Sequence, residues 1–491
     1  MSLRSQALSG FRWTASVRLL SQLITWAITI VVVRLLTPTD YGLLSMATVF
    51  IGFLQMFSEL GLGPALVQKT DLDERTLRQT FGIVLVLNLA LAAVLALAAP
   101  LIGAFFAEPR VVPVIRVLSL QFVIGGFDVI PNVLLQRRME FRKRSLLDLT
   151  GAIIASVTTL VMAFAGAGVW SLVVGSIAGQ TWRVIGINFL APFLHWPELS
   201  MRGMRSLLTF GGHLTLAGLF GTFFSQIDVI ICAKVLGNEI LGFYSVGIQL
   251  ASLPSDKIAG LVNQVAFPTF SRMQHDVRKV GESVLLGVRI LSFFAFPLLW
   301  GISSIAPEIV EVVLGAKWMQ AVVPLQVLAL IIPFRIIGGF VGVAVQGMGR
   351  SDILLRNTIW AALVAPPLLF AGAYADGLRG LSLAWLVLSP SLFLFAMKRS
   401  APVIGLRTRQ VFAAMAPAAG AGLTMYGAVI AVRFIIAGYG LGGVLRMGVL
   451  IAVGAIAYCA VSFVLNRKGA LEVIEMVRSI ATSKRVSPMQ T

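Results

Sequence analysis

Fourteen apolar runs of bilayer-crossing length follow one another between Trp13 and Leu465. In hydrocarbon each backbone N–H and C=O must be satisfied within the segment, so such a run crosses as a helix of about 20 residues. The first six are Trp13–Leu35, Leu43–Leu66, Phe81–Phe106, Val111–Leu135, Leu146–Ala165 and Val169–Phe193. The next six are Leu207–Ala233, Gly242–Phe267, Leu285–Ile305, Val322–Val345, Ile359–Tyr374 and Leu378–Met397. The last two are Val411–Ile436 and Val444–Leu465. Composition agrees: the 491 residues are 58% hydrophobic and 12% charged, against about 45–50% and about 25% in soluble domains. The basic N-terminal stretch before Trp13 lacks a small-residue cleavage site and reads as the lead into a retained first helix.

The runs are organised as a repeat. RLLTPTDYGLLS, Arg34 to Ser45, returns without a gap as KVLGNEILGFYS, Lys234 to Ser245. Leu36 falls on Leu236, Gly42 on Gly242, and turn-forming residues (Pro38 and Asp40; Asn238 and Glu239) occupy the same stretch of each copy. The echo persists at an offset of 210, where Gln136 falls on Gln346, and at 211, where Ser171-Leu172 falls on Ser382-Leu383. A slowly drifting offset is the trace of a six-helix duplication, and an even helix number makes the copies parallel. The expected fold class is an all-α polytopic membrane protein of about 14 transmembrane helices. It comprises an N-terminal six-helix lobe (1–200), a C-terminal six-helix lobe (201–405), two extra helices (406–466) and a basic tail (467–491).

Charge sets the expected orientation. Of 39 Lys and Arg, 26 fall in alternate loops and the termini, and 7 in the opposite turns: Arg34, Arg110, Lys234, Lys317, Arg379, Arg433 and Arg446. The positive-inside rule places both termini in the cytoplasm. The net charge of +18 then reflects topology and contact with anionic membrane lipids rather than nucleic acid. Six cations lie within runs, namely Arg18, Arg116, Arg183, Lys257, Arg289 and Arg335, and four anions lie within or at run ends, namely Glu59, Asp128, Asp228 and Asp256. A charge at mid-bilayer costs about 2.5–3.5 kcal/mol, so each should face protein or water. The cationic excess suits a cavity that receives a phosphate or diphosphate. Arg116, Arg289 and Arg335 sit inside runs several residues from a loop and are the better cavity candidates. Arg18 and Arg183 serve either the cavity or a snorkelling position. The adjacent Asp256 and Lys257 do not face each other on a helix, which points them to a cavity or the bundle interior. Glu59 precedes Gly61, Gly63 and Pro64 and marks a helix break or an ion site. Asp228 is an ion site or the partner of an Arg. Arg34 and Lys234 are snorkelling cations or a pair at the outer mouth.

No catalytic constellation accompanies them. His195, His213 and His275 are scattered, no P-loop occurs, and Cys232 and Cys459 lack a motif partner, so no cofactor, metal or redox role is expected. The longest outer segment, Ala306–Val322, is too short for the domain that a membrane polymerase needs.

VVVRLLTPTDYGLLS, FSELGLGPALVQK, NVLLQRRMEFRKRSLLD, GVWSLVVG, QIDVIICAKVLGNEILGFYS, VAFPTFSRM and APEIVEVVLGAKWMQAVVPLQVLAL carry, in order, a resemblance to a known family. The chain resembles the polysaccharide transporter family of the MOP superfamily, which contains the Wzx-type flippases, and looks closest to exopolysaccharide and colanic-acid exporters. The resemblance implies two MATE-like lobes with alternating access through a cationic central cavity. It implies a bacterial inner-membrane monomer moving undecaprenyl-diphosphate-linked oligosaccharide, with polysaccharide polymerase or export proteins as neighbours. Glu59, Asp128, Asp228 and Asp256 are then the candidates for ion coupling. A MATE-like drug antiporter predicts instead a carboxylate-dominated cavity; a membrane glycosyltransferase or polymerase predicts outer acidic clusters.

Overall fold

A computed structural model describes residues 25–68, 73–193, 195–200, 205–467, 469–472 and 475. Among them there is no strand, as the need to satisfy the backbone locally requires. The chain divides into two compact units, Met1–Ser245 and Val246–Thr491.

The first unit begins with α1 (Thr25–Leu35) and α2 (Pro38–Ser58). Thr37 caps α2 in a capping box with Asp40, and Pro38 opens it, both signals that chain chemistry alone prescribes. Leu60 and Gly61 take positive φ, 45° and 64°, and the chain resumes as α3 (Leu62–Gln68). The long α4 (Glu74–Phe106) ends on Ala107 in the left-handed region. The fourth apolar run, expected as one span, is three pieces: α5 (Val111–Leu118), α6 (Leu120–Gly126) and α7 (Val129–Arg137). The axis bends by 43° between α6 and α7. Gly125 and Gly126 loosen the helix there, and Pro131 supplies no N–H to carry it through. α8 (Phe141–Phe164) and α9 (Val169–Leu190) pack tightly. A Cβ on Gly175 would lie 1.9 Å from Thr159 Oγ1, and one on Gly179 would lie 2.7 Å from Ala155 Cβ; small residues at four-residue spacing admit this approach in a membrane.

α10 (Arg205–Leu236) runs to Gly237, and α11 (Asn238–Met273) starts 200 residues after α2. The two copies of the repeated turn meet within the first unit. A Cβ on Gly42 would stand 2.0 Å from the Asn238 carbonyl oxygen, and a Cβ on Gly242 would stand 1.8 Å from that of Pro38. Pro38 and Asn238 are equivalent positions of the repeat, so the contact is reciprocal.

In the second unit α12 (Val277–Ser304) leads through the short α13 (Ala306–Ile309), a π turn and a 3₁₀ turn into α14 (Val322–Gly347). The connecting segment is compact, with Trp318 fully buried. α15 (Ser351–Ser400) contains two helices, because Asp376 and Gly377 leave helical geometry and Gly372 and Gly380 meet backbone to backbone. The extra helices, α16 (Thr408–Ile436) and α17 (Gly443–Leu465), are built into this unit: Val411, Met415, Met425 and Tyr458 belong to one core with Phe296, Trp300 and Phe340. Tyr458 also donates to the Phe293 carbonyl at 2.8 Å. Among the described residues nine helical segments are long and apolar enough to cross a membrane, ten when the bent pair is counted as one.

Candidate functional site

The first unit gathers several of its intramembrane charges where two helices are broken. The α2–α3 break presents Glu59, and the α6–α7 break presents Asp128. Arg183 of α9 joins Asp128 through Nη2 (3.2 Å to Oδ2) and Asp148 of α8 through Nε (3.2 Å to Oδ1). The charges of Asp128, Arg183 and Arg144 act on Glu59, whose carboxylate folds over Gly63, with Oε2 2.7 Å from where a Cβ would be. Broken helices free carbonyls, and amides take them. Asn88 donates to Ser58 O at 2.7 Å and Asn188 to Phe127 O at 3.0 Å. Asp128 Oδ1 is buried without a hydrogen bond. Asp128 and Asp148 thus share Arg183 beside Glu59 at the two helix breaks. Among the described residues no three His, Cys, Asp or Glu are placed to hold a metal.

The other sequence candidates lie elsewhere. Asp228, buried on α10, accepts from the Tyr244 hydroxyl, a phenol of the second turn copy, at 2.8 Å. Lys234 donates to the Phe105 carbonyl at 2.5 Å and lies 5.0 Å from that residue's ring centroid; it caps the carbonyl end of α4. Arg34 is exposed and engaged with neighbouring groups. Arg116, on α5, is exposed and forms no ion pair among the described residues. Arg335, midway along α14, is also exposed; its guanidinium lies 5.6 Å from the Trp385 ring, an aromatic rather than an ionic partner. Arg289 is paired, forking onto Glu472 with bonds of 2.6 to 2.9 Å. That bond fastens the segment beyond α17 to α12. Arg18 lies outside the described residues, and the side chains of Asp256 and Lys257 lie outside the described atoms.

Sequence reasoning did not find Asp148, Tyr244 or Glu472 as partners, nor the centre at Glu308. That carboxylate is 1% exposed and takes a fork from Arg433 (2.9 and 2.7 Å), with Arg446 at 3.5 Å. Arg446 reaches on to Glu311 at 2.6 Å. The centre ties α16 and α17 to the end of α12. Outside the spans, Arg110 forks onto Glu108 at 2.8 Å and holds that carboxyl below the usual range, while Asn238 donates to it at 3.2 Å. Glu108 thereby steadies the second turn copy.

Known proteins supply the context. The family described as "Polysaccharide biosynthesis protein" matches residues 31–323. The chain is 24% identical over 419 residues to the lipopolysaccharide biosynthesis protein WzxC of Escherichia coli (strain K12), covering 84% of each chain. It is 25% identical over 474 residues to the teichuronic acid biosynthesis protein TuaB of Bacillus subtilis (strain 168), covering 93% of this chain and 95% of that one. The succinoglycan biosynthesis transport protein ExoT of Rhizobium meliloti (strain 1021) is 24% identical over 368 residues, 72% of each. Among solved structures, the lipid II flippase MurJ in an inward closed conformation aligns with a TM-score of 0.74 at 13% identity, over 91% of this chain and 98% of that one. An inward-facing multidrug resistance MATE transporter of the MOP superfamily aligns at 0.59 and 16% identity, over 77% and 94%. The chain is a multi-pass membrane protein that shares its fold with these two solved structures, and it belongs to the polysaccharide biosynthesis protein family.

Proposed function

We propose that this protein is a flippase, moving an oligosaccharide repeat unit on undecaprenyl diphosphate from the cytoplasmic to the outer leaflet of the bacterial inner membrane. The observation that carries the reading is that two intramembrane cations, Arg116 and Arg335, have no carboxylate partner among the described residues, in a chain of this family. A guanidinium held in a membrane span without a counter-ion is unfavourable unless it meets water or an anion. A diphosphate supplies that anion, and the guanidinium fork matches it. Arg18 and Lys257 are further candidates for the same path, with Arg34 and Lys234 at its outer mouth. The broken-helix group of Glu59, Asp128, Asp148 and Arg183 is the favoured coupling site, with Asp228 and Asp256 as further candidates. Driven by an ion gradient, it would alternate access to a cationic cavity. The lobe boundaries near residues 200 and 405, cytoplasmic termini and a polymerase or exporter as neighbour belong to this reading. The cationic excess favours it over a MATE-like drug antiporter, which needs carboxylates for cationic substrates.

Deletion should abolish one surface polysaccharide and build up its lipid-linked unit on the cytoplasmic side. Complementation with Arg116→Gln/Arg335→Gln at wild-type protein level should restore polymer at least about tenfold less well, given about 1.5–3 kcal/mol per charged hydrogen bond. Full restoration by the double variant removes the cation argument. Normal polymer in the deletion strain, with no paralogue present, removes the flippase reading.

A further inference from the structure

The segment after α9 folds back along the start of α4. Glu198 N donates to Arg78 O at 3.1 Å, Arg78 Nε donates to Trp196 O at 3.2 Å, and Arg75 and Gln79 each donate to the Glu198 carboxylate at 3.2 Å. His195 Nε2 stands 3.1 Å from Glu74 Oε1. Gly82 permits the approach, since a Cβ there would lie 2.6 Å from Glu198 O. Beneath this strap is an open cavity of about 350 Å³ walled by Phe81, Phe127, Pro131, Asn188, Phe193 and Trp196.

The wall is hydrocarbon. Phe81 meets Phe127 and Phe193 edge to face, with centroids 6.0 and 5.9 Å apart. Of its few polar groups, the Asn188 amide N–H donates to Phe127 O and Val184 O, and His195 Nε2 faces Glu74. A sugar ring would need those donors, whereas a hydrocarbon chain needs none. Trp196, which lines the cavity, is 85% exposed, and Phe189 at 82% and Leu199 at 69% are exposed apolar side chains on the same stretches of chain; an open Trp beside apolar side chains marks a membrane–water interface. The same end of the unit is basic. Arg138, exposed at the end of α7, lies seven residues from Pro131, about 10 Å along a helix. Arg142, Lys143 and Arg144 follow it.

We propose that this cavity seats one acyl chain of an anionic phospholipid, with the phosphate on the Arg138 side of the mouth. The site stands on the first unit alone and is independent of what the protein transports. The test uses the full chain, purified and returned to vesicles of phosphatidylcholine containing a tenth of phosphatidylglycerol brominated in one acyl chain. Bromine quenches tryptophan at short range, and the wild-type minus Trp196→Phe difference isolates Trp196 from the other Trp. The Trp196 component should be quenched at least about fivefold more by brominated phosphatidylglycerol than by brominated phosphatidylcholine at the same content. Arg138→Gln should remove most of that preference, since one cation near an anionic surface is worth about 1 kcal/mol, or about fivefold. Both positions are exposed, so folding is not at stake. Equal quenching by the two lipids overturns the proposal, as does a preference that Arg138→Gln leaves intact. Displacement of the bromolipid by a soluble oligosaccharide also overturns it and makes the cavity a sugar site.

Discussion

Glu308→Ala is expected to lower stability by about 3–5 kcal/mol, the cost of removing one partner from a buried ion pair and leaving the other uncompensated. Two guanidiniums lose their shared carboxylate. Among the described residues Arg433 has only the Ser304 carbonyl besides Glu308, and Arg446 keeps Glu311. The loss should be local, because Glu308 joins the corner after α12 to both extra helices. Amide hydrogen exchange should therefore rise in α16 and α17 while the first unit stays protected. Arg446→Ala should cost far less, about 1 kcal/mol or below, because that side chain is 30% exposed and pairs near the surface are weak. Replacing the whole centre, as in Glu308→Leu/Arg433→Met, should recover much of the Glu308→Ala loss, since no buried charge is then left alone. Uniform exchange across both units, or a Glu308→Ala protein as stable as Arg446→Ala, would show that the centre does not hold the helices.

What the chain discloses in one dimension depends on whether the determining contacts are local. Helix α2 begins at Pro38, five residues before the expected start at Leu43, because Thr37 and Asp40 form a capping box there. The turn before it was legible because Pro38 and Asp40 are local signals, and its copy was legible because a duplication preserves spacing. The α2–α3 break was legible for the same reason: Gly61, Gly63 and Pro64 stand beside Glu59. The α6–α7 break was not, since Gly125, Gly126 and Pro131 are spread through an otherwise continuous apolar run. Ion pairing was beyond reach for a different reason. Arg289 and Glu472 are 183 residues apart, and Arg433 and Glu308 are 125 apart. Which carboxylate meets which guanidinium depends on helix neighbours that apolar periodicity leaves undetermined. Counting intramembrane charge thus identified the unusual residues, but only packing separates Arg289, which is neutralised within the fold, from Arg335, which has an aromatic neighbour.

That separation bears on what each cation can do. An Arg forked onto a carboxylate offers an incoming phosphate little, since the existing pair must first break. Arg183, shared by Asp128 and Asp148, and Arg289, held by Glu472, are therefore better suited to fixing elements. Arg116 and Arg335 have no such competitor among the described residues. The two classes should differ in rescue: Arg289→Lys should retain much of the function through a single ion pair, whereas Arg335→Lys gives up the guanidinium that lies 5.6 Å from the Trp385 ring and its capacity for a forked contact.

Gly242→Ala should separate the two copies of the repeated turn. Its Cβ would lie 1.8 Å from Pro38 O, 2.5 Å from Pro38 C and 2.9 Å from Pro38 Cα. All three are backbone atoms, so no rotamer relieves the contact, and reaching ordinary separation requires a shift of about 1.5 Å or more. Overpacking of this kind costs about 1–3 kcal/mol. Gly42→Ala should behave alike, with its Cβ 2.0 Å from Asn238 O, and the two should not add, because the first already opens the seam that the second would open. Gly221→Ala is the control: nothing lies within 4 Å of a Cβ there, and Ala is the better helix former. Thermal unfolding of the purified variants should show a fall of several degrees for either turn glycine, little further fall for both, and no fall for Gly221→Ala. The turns contact each other only if the chain closes here, so a transport cycle that parts them should tolerate Ala in the parted state and resist it in the joined one. Flipping by Gly242→Ala should accordingly fall more than its loss of folded protein explains. Two additive, purely thermal losses with unchanged flipping per folded molecule would reduce the reciprocal contact to packing alone.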